Sequence, residues 1–430
     1  MKSIVESALA QRQRNNVDLP LRVWRQQAHF TTPATGRPER ALAGLEPVPG
    51  LLSRHRITLA DVADHSGADQ HLLNQLVTEF PQSPLVMIDA EDAVAGTQAA
   101  TLQARAGAID CFQRAEWGET LRFFRPAGLG LDSCVEDLSE VIAALVAPVA
   151  DQHSSSLLLD GIIWPKIEHA SEMRWLCELL TRLEHHLGLA ENSIRLQFLV
   201  ESASALQQLD KITEVARPRL CGIIWGAADY AADTGLQKWH NHHPLFDWAR
   251  ALIVNAAGAA GVPAIDSMTF NYPTPLYRGD DLSDHQRSAN REKILSALTE
   301  VYADAVHGRD LGMSGKWVGH PAQLLMVQAA YRSQIDDQGI QRDLRDLESY
   351  QAALAEGVGA TILGEGADAK MADRATDRDL RSRLRRAAAL GVLPAQTARQ
   401  AKLITEQEFS QLQGVHPDPL GSSKEKAADV

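Results

Sequence analysis

The chain has 430 residues, of which 45% are hydrophobic. This length and composition are enough for one large domain with an appendage or for two domains. Its formal net charge of −13 argues against nucleic acid or an anionic membrane as the main partner. Four scattered cysteines without a CxxC pair, and the lack of an apolar leader or membrane-spanning window, predict a cytoplasmic protein without a disulfide framework.

Short apolar runs of β-forming residues recur along the chain, and amphipathic helical stretches separate most of them. This alternation predicts a parallel sheet, and the number of runs favours a closed (β/α)8 barrel, or TIM barrel. An open doubly wound sheet is the alternative, although no GxGxxG motif follows an early strand. The predicted strands are residues 28–32, 85–88, 121–124, 157–164, 196–200, 220–225, 262–265 and 314–318.

The rest of the chain is predicted to surround this barrel, which we expect to span residues 25–340. Residues 1–24 are predicted to form an N-terminal arm. Residues 34–80 are too long for an ordinary barrel connection, so an inserted helical segment is expected there. Residues 341–412 are predicted to form a C-terminal helical lid, and residues 413–430 a disordered tail.

Charged residues follow almost every predicted strand, at the carboxyl ends that form the active-site face of such a barrel. Each one taken alone is more simply a solvated loop residue, but their order along successive strands favours a shared site. They are Asp89, Glu91 and Asp92 after the second run, Arg122 and Arg125 in and after the third, Lys166 after the fourth, Glu201 after the fifth, Asp229 after the sixth, Asp266 after the seventh, and Lys316 and His320 at the eighth.

Glu201 and Asp229 can supply two oxygen ligands to Mg²⁺, with water and substrate oxygens completing the coordination. Asp89, Glu91 and Asp92 would then form an outer shell that binds metal-bound water or orients a lysine.

Arg122 suits a bidentate clamp for a substrate carboxylate or carbonyl oxygen. Arg125 is the alternative, because two arginines three residues apart leave the register of this strand open.

Taken in order, these stretches resemble the citrate lyase β-subunit-like family, within the aldolase/citrate lyase superfamily that includes the malyl-CoA lyases. The resemblance covers about residues 85–390 and rests on motifs that are weak singly but follow in the family's order. They read IDAEDAV, LRFF, PKIEHA, VESASA, WGAADY, AIDSM and GKWVGHPAQ. A later segment, GADAKMADRATD, puts Asp373 at the position of the family's C-terminal aspartate.

The resemblance implies a (β/α)8 barrel that forms a homo-oligomer, either a trimer or a hexamer. It implies Mg²⁺, with Mn²⁺ as the alternative, held at Glu201 and Asp229, and no organic cofactor. It further implies that Arg122 contacts the acid or thioester carbonyl of the substrate. Asp373 would be the acid/base, from a segment that often packs over a neighbouring subunit's site. Lys166, Gly226 and Ala227 are further expected substrate contacts.

Three functions are compatible with these residues. The leading hypothesis is a Mg²⁺-dependent carbon–carbon lyase, or the reverse Claisen condensation, acting on a 3-hydroxyacyl-CoA thioester such as malyl-CoA. The second is a CoA-independent aldolase acting on a pyruvate-derived hydroxy-oxo acid, in which a histidine-associated base usually takes the place of Asp373. The third is a non-catalytic, acyl-binding subunit of a lyase complex.

Overall fold

The computed structural model describes residues 19–148, 155–335, 337–364, 366 and 369–412. The chain divides into two compact units. The barrel unit contains Gln26–Tyr331, and the C-terminal unit contains Pro20–Arg25 and the described residues from Arg332 onward. The predicted N-terminal arm up to residue 18 and the predicted tail, residues 413–430, lie outside the described residues.

The centre of the barrel unit is a closed sheet of eight parallel strands. Each strand pairs with its neighbours in the chain, and the last pairs with the first to close the ring. The prediction of a (β/α)8 barrel is therefore confirmed. The strands are β1 (Ala28–Pro33), β2 (Leu85–Asp89), β3 (Leu121–Arg125), β4 (Gly161–Trp164), β5 (Leu196–Val200), β6 (Leu220–Trp225), β7 (Ala264–Asp266) and β8 (Gly315–Val318).

Helices connect the strands, and polar residues or glycine often mark where they begin and end. The hydroxyl of Thr97 accepts a hydrogen bond from the Ala100 N–H at the start of one helix, and Gly188 ends another with a φ of 67°. The helices are Gln98–Arg114, Cys134–Ala144, Ala170–Leu187, Ala203–Gln207, Leu209–Ala216, Ala227–Asp233, Pro244–Ala260, Asp284–Asp310 and Pro321–Arg332. A small antiparallel pair, Val146–Pro148 and Ser155–Leu157, precedes β4.

The segment between β1 and β2 is helical, as the sequence predicts. Thr58 and Asp61 form a reciprocal capping box at the start of one of its helices. Asp61 also forms an ion pair with Arg291 on the long helix Asp284–Asp310, at 2.8 Å. This contact fixes the insertion to the outside of the barrel. Its elements are the 3-10 helix Pro38–Ala43 and the helices Val48–Ser53, Leu59–Ser66 and Gln70–Glu79.

The C-terminal unit has its own apolar core, in which Leu347, Leu380 and Leu384 are buried. Its elements are the 3-10 helix Leu21–Arg25, the helices Asp337–Ala355, Arg374–Ala389, Ala395–Gln400 and Glu406–Leu412, and an antiparallel pair, Thr361–Leu363 and Lys370–Ala372. The predicted helical extension after the barrel is thus present. Among the described residues of both units, no helix is long and apolar enough to cross a membrane.

A buried ion pair holds the helix Ala170–Leu187 against the start of β6. Both oxygens of Glu184 accept hydrogen bonds from Arg219, at 2.6 and 2.9 Å, and the two side chains are only 2% and 1% exposed. We expect Glu184→Ala to lower the free energy of unfolding by about 3–5 kcal/mol, because it leaves a buried guanidinium without a counter-charge. Urea unfolding would measure the change.

Glu178→Ala is the matched control, because Glu178 is exposed on the same helix. It should change the free energy of unfolding by less than about 0.5 kcal/mol. Equal stability of the two variants would show that the buried pair does not support the barrel.

Candidate active site

The carboxyl ends of β2 to β6 bring seven charged residues together at one mouth of the barrel. Parallel pairing places Asp89 beside Arg125 and Val200 beside Trp225, so the residues that follow β5 and β6 also lie next to each other. We call the group the rim cluster. It consists of Asp89, Glu91, Asp92, Arg125, Lys166, Glu201 and Asp229.

Arg125 is the buried cation of the rim cluster. Its Nε and Nη2 donate to the two carboxylate oxygens of Asp89, each at 2.6 Å, and both residues are nearly inaccessible to solvent. Its Nη1 lies 3.1 Å from Glu91 Oε2 and 3.3 Å from Asp92 Oδ2. Burial opposes the charge on Arg125, but Asp89, Glu91 and Asp92 together outweigh this effect and raise the pKa of Arg125. One guanidinium therefore contacts all three acids of the trio.

Lys166 is the second cation, and it reaches the same trio from the end of β4. Its Nζ lies 2.5 Å from Glu91 Oε1, 2.9 Å from Asp92 Oδ1 and 3.8 Å from Asp229 Oδ1. Burial works against the ammonium charge, but hydrogen bonds to Glu91 and Asp92 prevail and raise the pKa of Lys166. The side chain is 44% exposed, so a fixed ammonium group faces the barrel mouth.

Lys166 also adopts a backbone conformation that residues other than glycine avoid, with a φ of 49°. In this conformation its N–H donates to Glu201 Oε1. One residue thus contributes its ammonium to Glu91 and Asp92 and its backbone to Glu201. Strained backbone of this kind is concentrated at functional sites.

The pKa values of Glu91 and Asp92 shift in opposite directions, although both residues contact Arg125 and Lys166. Burial raises the pKa of Glu91, and the charge of Arg125 only partly offsets it. For Asp92, burial also acts upward, but Arg125 and the hydrogen bond from Lys166 lower the pKa below its usual value. Glu91 and Asp92 thus contact Lys166 directly, and the outer-shell role of the trio stays a prediction.

Glu201 is the least compensated acid of the rim cluster. It is 4% exposed, and its burial, with a further contribution from the Asp229 charge, raises the pKa of its carboxyl group to about 7 although the Lys166 N–H bond acts in the opposite direction. Gly226 makes room for it, because a Cβ at this position would lie 2.6 Å from Glu201 Cβ and 2.9 Å from Glu201 Oε2. The turn after β6 therefore requires glycine.

Glu201 and Asp229 fit the protein's share of a magnesium site. The carboxylate of Asp229 lies close enough to raise the pKa of Glu201. Among the residues that the structure describes, no cationic side chain is hydrogen-bonded to the buried Glu201. Within the described residues, no three His, Cys, Asp or Glu side chains form a complete metal site. Such a pair could hold Mg²⁺ only with water or substrate oxygens as the remaining ligands, which is the usual arrangement for this ion.

The structure does not bring Arg122 into the rim cluster. Its Nη1 donates to the carbonyl of Leu158 at 3.3 Å, and its guanidinium lies over the ring of Trp117, 5.8 Å from the centroid. Those two residues precede β4 and β3, whereas the rim cluster follows the strands. Since side chains alternate along a strand, residues three apart point to opposite faces. Arg125, the alternative candidate, occupies the place expected of Arg122.

Two other strand-end residues, Asp266 and Lys316, belong to the layer between the strands and the helices. Asp266 is fully buried and accepts hydrogen bonds from Arg250 Nε at 2.8 Å and from Lys316 Nζ at 3.0 Å. Burial opposes the carboxylate, but Lys316 and Arg250 lower the pKa of Asp266. This ion triad stabilises the packing of the helix Pro244–Ala260 on β7 and β8.

The backbone N–H groups of Gly226 and Ala227 already have partners within the fold. Gly226 N donates to the carbonyl of Val200 at 3.0 Å, and Ala227 N to the hydroxyl of Ser267 at 3.4 Å. Their role as substrate contacts stays a prediction.

Asp373 lies in the C-terminal unit, at the N-cap of the helix Arg374–Ala389. Its Oδ1 accepts hydrogen bonds from Ala375 N at 2.8 Å and Thr376 N at 3.2 Å. The side chain therefore has a structural role in starting this helix. Its expected role as the acid/base stays a prediction.

Sequence reasoning missed Trp317 on β8. Its ring lies 5.1 Å from the guanidinium carbon of Arg125, and within the described residues its buried indole N–H has no hydrogen-bond partner. A buried donor without a partner beside a cation can bind an oxygen of a ligand. The sequence carried no signal of this, because a tryptophan in an apolar run is ordinarily part of the core.

Residues 66–275 of the chain match the family model described as HpcH/HpaI aldolase/citrate lyase. An L-malyl-CoA/beta-methylmalyl-CoA lyase of Haloarcula marismortui is 27% identical over 242 residues, which cover 56% of this chain and 64% of that protein. Another protein of the same name, from Cereibacter sphaeroides, is 27% identical over 294 residues. The match covers 65% of this chain and 80% of that protein. A solved structure of a citrate lyase from Burkholderia xenovorans aligns with a TM-score of 0.52 at 19% identity, over 92% of this chain and 97% of that one. The last similarity supports the barrel fold alone.

The positive φ of Lys166 can be tested with two variants that remove the same side chain. We expect Lys166→Gly to be more stable than Lys166→Ala by about 1 kcal/mol, because glycine adopts this conformation without a steric penalty. Chemical denaturation would measure the difference. The same pair of substitutions at Glu178, in the middle of a helix, should give the opposite order by about 1 kcal/mol. Equal stability of the two Lys166 variants would contradict the strain.

Proposed function

We propose that the chain is a Mg²⁺-dependent carbon–carbon lyase, because residues 66–275 match the HpcH/HpaI aldolase/citrate lyase family model. Its substrate would be a 3-hydroxyacyl-CoA thioester such as malyl-CoA, split into an acyl-CoA and a 2-oxo acid, or formed by the reverse reaction. The observation that carries this proposal is the pair Glu201 and Asp229 on adjacent strand ends, beside the fixed ammonium of Lys166. The cytoplasmic location and the trimeric or hexameric state remain predictions.

Glu201 and Asp229 would hold the metal ion, with Asp89, Glu91 and Asp92 in the outer shell. When bound, Mg²⁺ would act as a Lewis acid toward the oxygens of the 2-oxo or 2-hydroxy acid portion. Buried carboxylates are costly without a counter-charge, and the raised pKa of Glu201 reflects this cost. The donor set therefore supports a divalent cation at this position.

Lys166 and Arg125 would supply positive charge where the reaction develops negative charge. Cleavage of the carbon–carbon bond leaves the bonding electrons on the thioester fragment, as an enolate. Lys166 is suited to stabilise it, since hydrogen bonds to Glu91 and Asp92 keep its ammonium charged and fix its direction. Arg125 is held by Asp89 and would act on a substrate oxygen together with the free N–H of Trp317.

Asp373 would move the proton that completes the reaction. In the cleavage direction, the Asp373 carboxylate would take the proton of the hydroxyl group, the carbon–carbon bond would break to give the 2-oxo acid and the enolate, and the enolate carbon would then take up a proton. We assign delivery of this last proton to the Asp373 carboxyl group, on the basis of its position in the C-terminal motif. The reverse reaction would use the same group as a base.

The first test combines substrate turnover with metal binding. We expect the purified protein with Mg²⁺ to release glyoxylate from malyl-CoA, followed as its phenylhydrazone, and chelation by EDTA to abolish the reaction. Glu201→Gln should weaken Mn²⁺ binding, measured by electron paramagnetic resonance, by at least about 100-fold, because it removes a direct ligand. Glu214→Gln, at an exposed carboxylate on the helix Leu209–Ala216, is the control and should bind the metal normally.

Unchanged Mn²⁺ affinity in Glu201→Gln would refute the ligand assignment. If the protein cleaves 4-hydroxy-2-oxo acids but neither malyl-CoA nor citramalyl-CoA, the CoA-independent aldolase is supported. Absence of turnover on both panels, with metal still bound, would support the non-catalytic subunit.

The second test concerns Asp373. We expect Asp373→Asn to lower kcat at least about 100-fold, the scale typical of a lost general acid/base, while metal binding and KM change little. Asparagine is as good an N-cap as aspartate, so the helix Arg374–Ala389 should retain its stability. Full activity in this variant would remove Asp373 from the mechanism, and circular dichroism melting would check the fold.

A further inference from the structure

A second charged site lies in the barrel unit, between the inserted helices and the start of the long helix Asp284–Asp310. It is a cavity of about 770 Å³, within the size range of small-molecule pockets. None of its lining residues belongs to the rim cluster. We call it the arginine cavity, because five arginines line it: Arg54, Arg56, Arg278, Arg287 and Arg291.

Three of these arginines are exposed to solvent. In the part of the chain that the structure describes, the guanidinium groups of Arg54, Arg56 and Arg278 make no ion pair and no hydrogen bond. Arg291 differs, since it is paired with Asp61. Arg287 donates, as far as the described residues go, only to the backbone carbonyls of Leu282 and Asp280.

The acids that line the cavity do not balance this charge. Asp280 and Asp284 are the acidic residues among the lining side chains, against five arginines. Burial and the nearby charge of Arg54 lower the pKa of His55, which faces the same space, so this histidine is held neutral more readily. The cavity therefore carries a local excess of positive charge, although the whole chain has a net charge of −13.

The walls of the cavity are fixed to one another. The side chain of Asn290 accepts from the N–H of Tyr277 and donates to its carbonyl, both at 2.8 Å, which clamps the loop that carries Arg278. On the other side, Arg291 Nη1 donates to the carbonyl of Arg56 at 2.6 Å. The backbone segments that carry the arginines are therefore held in place around this space, which reduces the entropy lost when a ligand binds.

We infer that the arginine cavity binds the phosphate groups of a nucleotide. Guanidinium forks match phosphate oxygens in two-point hydrogen bonds, and several together suit a ligand with more than one phosphate. Tyr277 lines the same cavity and offers an aromatic surface for the base. The nucleotide is either a free molecule or the nucleotide end of a CoA thioester. In the second case the inference rests on the proposed function.

Binding can be measured without any turnover. We expect adenosine 3′,5′-bisphosphate to bind the full-length protein in isothermal titration calorimetry, more weakly at 300 mM than at 50 mM salt because ions screen the contact. The double variant Arg54→Ala/Arg278→Ala should bind at least about tenfold more weakly, since charged hydrogen bonds are lost. The control is Arg174→Ala/Arg182→Ala, which removes the same charge from exposed positions on the helix Ala170–Leu187 and should bind normally.

The inference is overturned if the bisphosphate does not bind, or if the two double variants bind it equally well while both melt like the parent protein. A calorimetric melt is therefore recorded for each variant.

Kinetics then separate the two sources of the nucleotide. If the thioester carries it, Arg54→Ala/Arg278→Ala should raise KM for malyl-CoA about tenfold and leave KM for the malyl-pantetheine thioester, which lacks the nucleotide, unchanged. If a free nucleotide is the ligand, both KM values should stay the same while calorimetry still shows the loss. If no thioester is turned over, the proposed function fails, and the calorimetry still decides whether the cavity binds nucleotide phosphates.

Discussion

The mouth of the barrel depends on the pairing of buried and half-buried carboxylates with two cations. Within the described residues, the five acids of the rim cluster share two cationic side chains, those of Arg125 and Lys166. The acids are Asp89, Glu91, Asp92, Glu201 and Asp229. Arg125 and Lys166 are committed to the trio after β2, so the uncompensated charge is concentrated at Glu201 and Asp229. A divalent cation placed there would bring the cluster close to neutrality, and this charge balance is the physical reason for the metal site that we propose.

The backbone is shaped around the same two acids. Lys166 accepts a φ of 49° so that its N–H reaches Glu201 while its ammonium reaches Glu91 and Asp92. On the other side of Glu201, Gly226 leaves out the Cβ that would collide with this side chain. Both features cost stability, and neither improves the packing of the strands. Costs of this kind are expected where a side chain must be held in one place for chemistry.

The fold was predictable because a (β/α)8 barrel repeats one simple unit. Each of its eight strands is an apolar run followed by a polar loop, and all eight runs were visible in the sequence. The choice between Arg122 and Arg125 was not predictable in the same way. Strands of a parallel barrel are buried on both faces, so β3 shows no alternation of apolar and polar residues that would reveal which face is inside.

Asp266 illustrates the same limit. It ends an apolar run just as Asp89 does, yet its carboxylate pairs with Arg250 on a helix and not with the rim cluster. The sequence identifies which residues lie near strand ends, whereas the direction of each side chain depends on the register of neighbouring strands. The raised pKa of Glu201 and the free indole N–H of Trp317 depend on burial by distant segments, which local patterns do not report. The arginine cavity likewise needs two segments more than 200 residues apart, which docking of the insertion on the long helix brings together.

An anionic thioester approaching a chain of net charge −13 is repelled overall, so binding it requires local positive charge at each point where it carries negative charge. In our proposal, the metal ion together with Lys166 and Arg125 supplies this charge at the barrel mouth, and Arg54, Arg56 and Arg278 supply it at the arginine cavity.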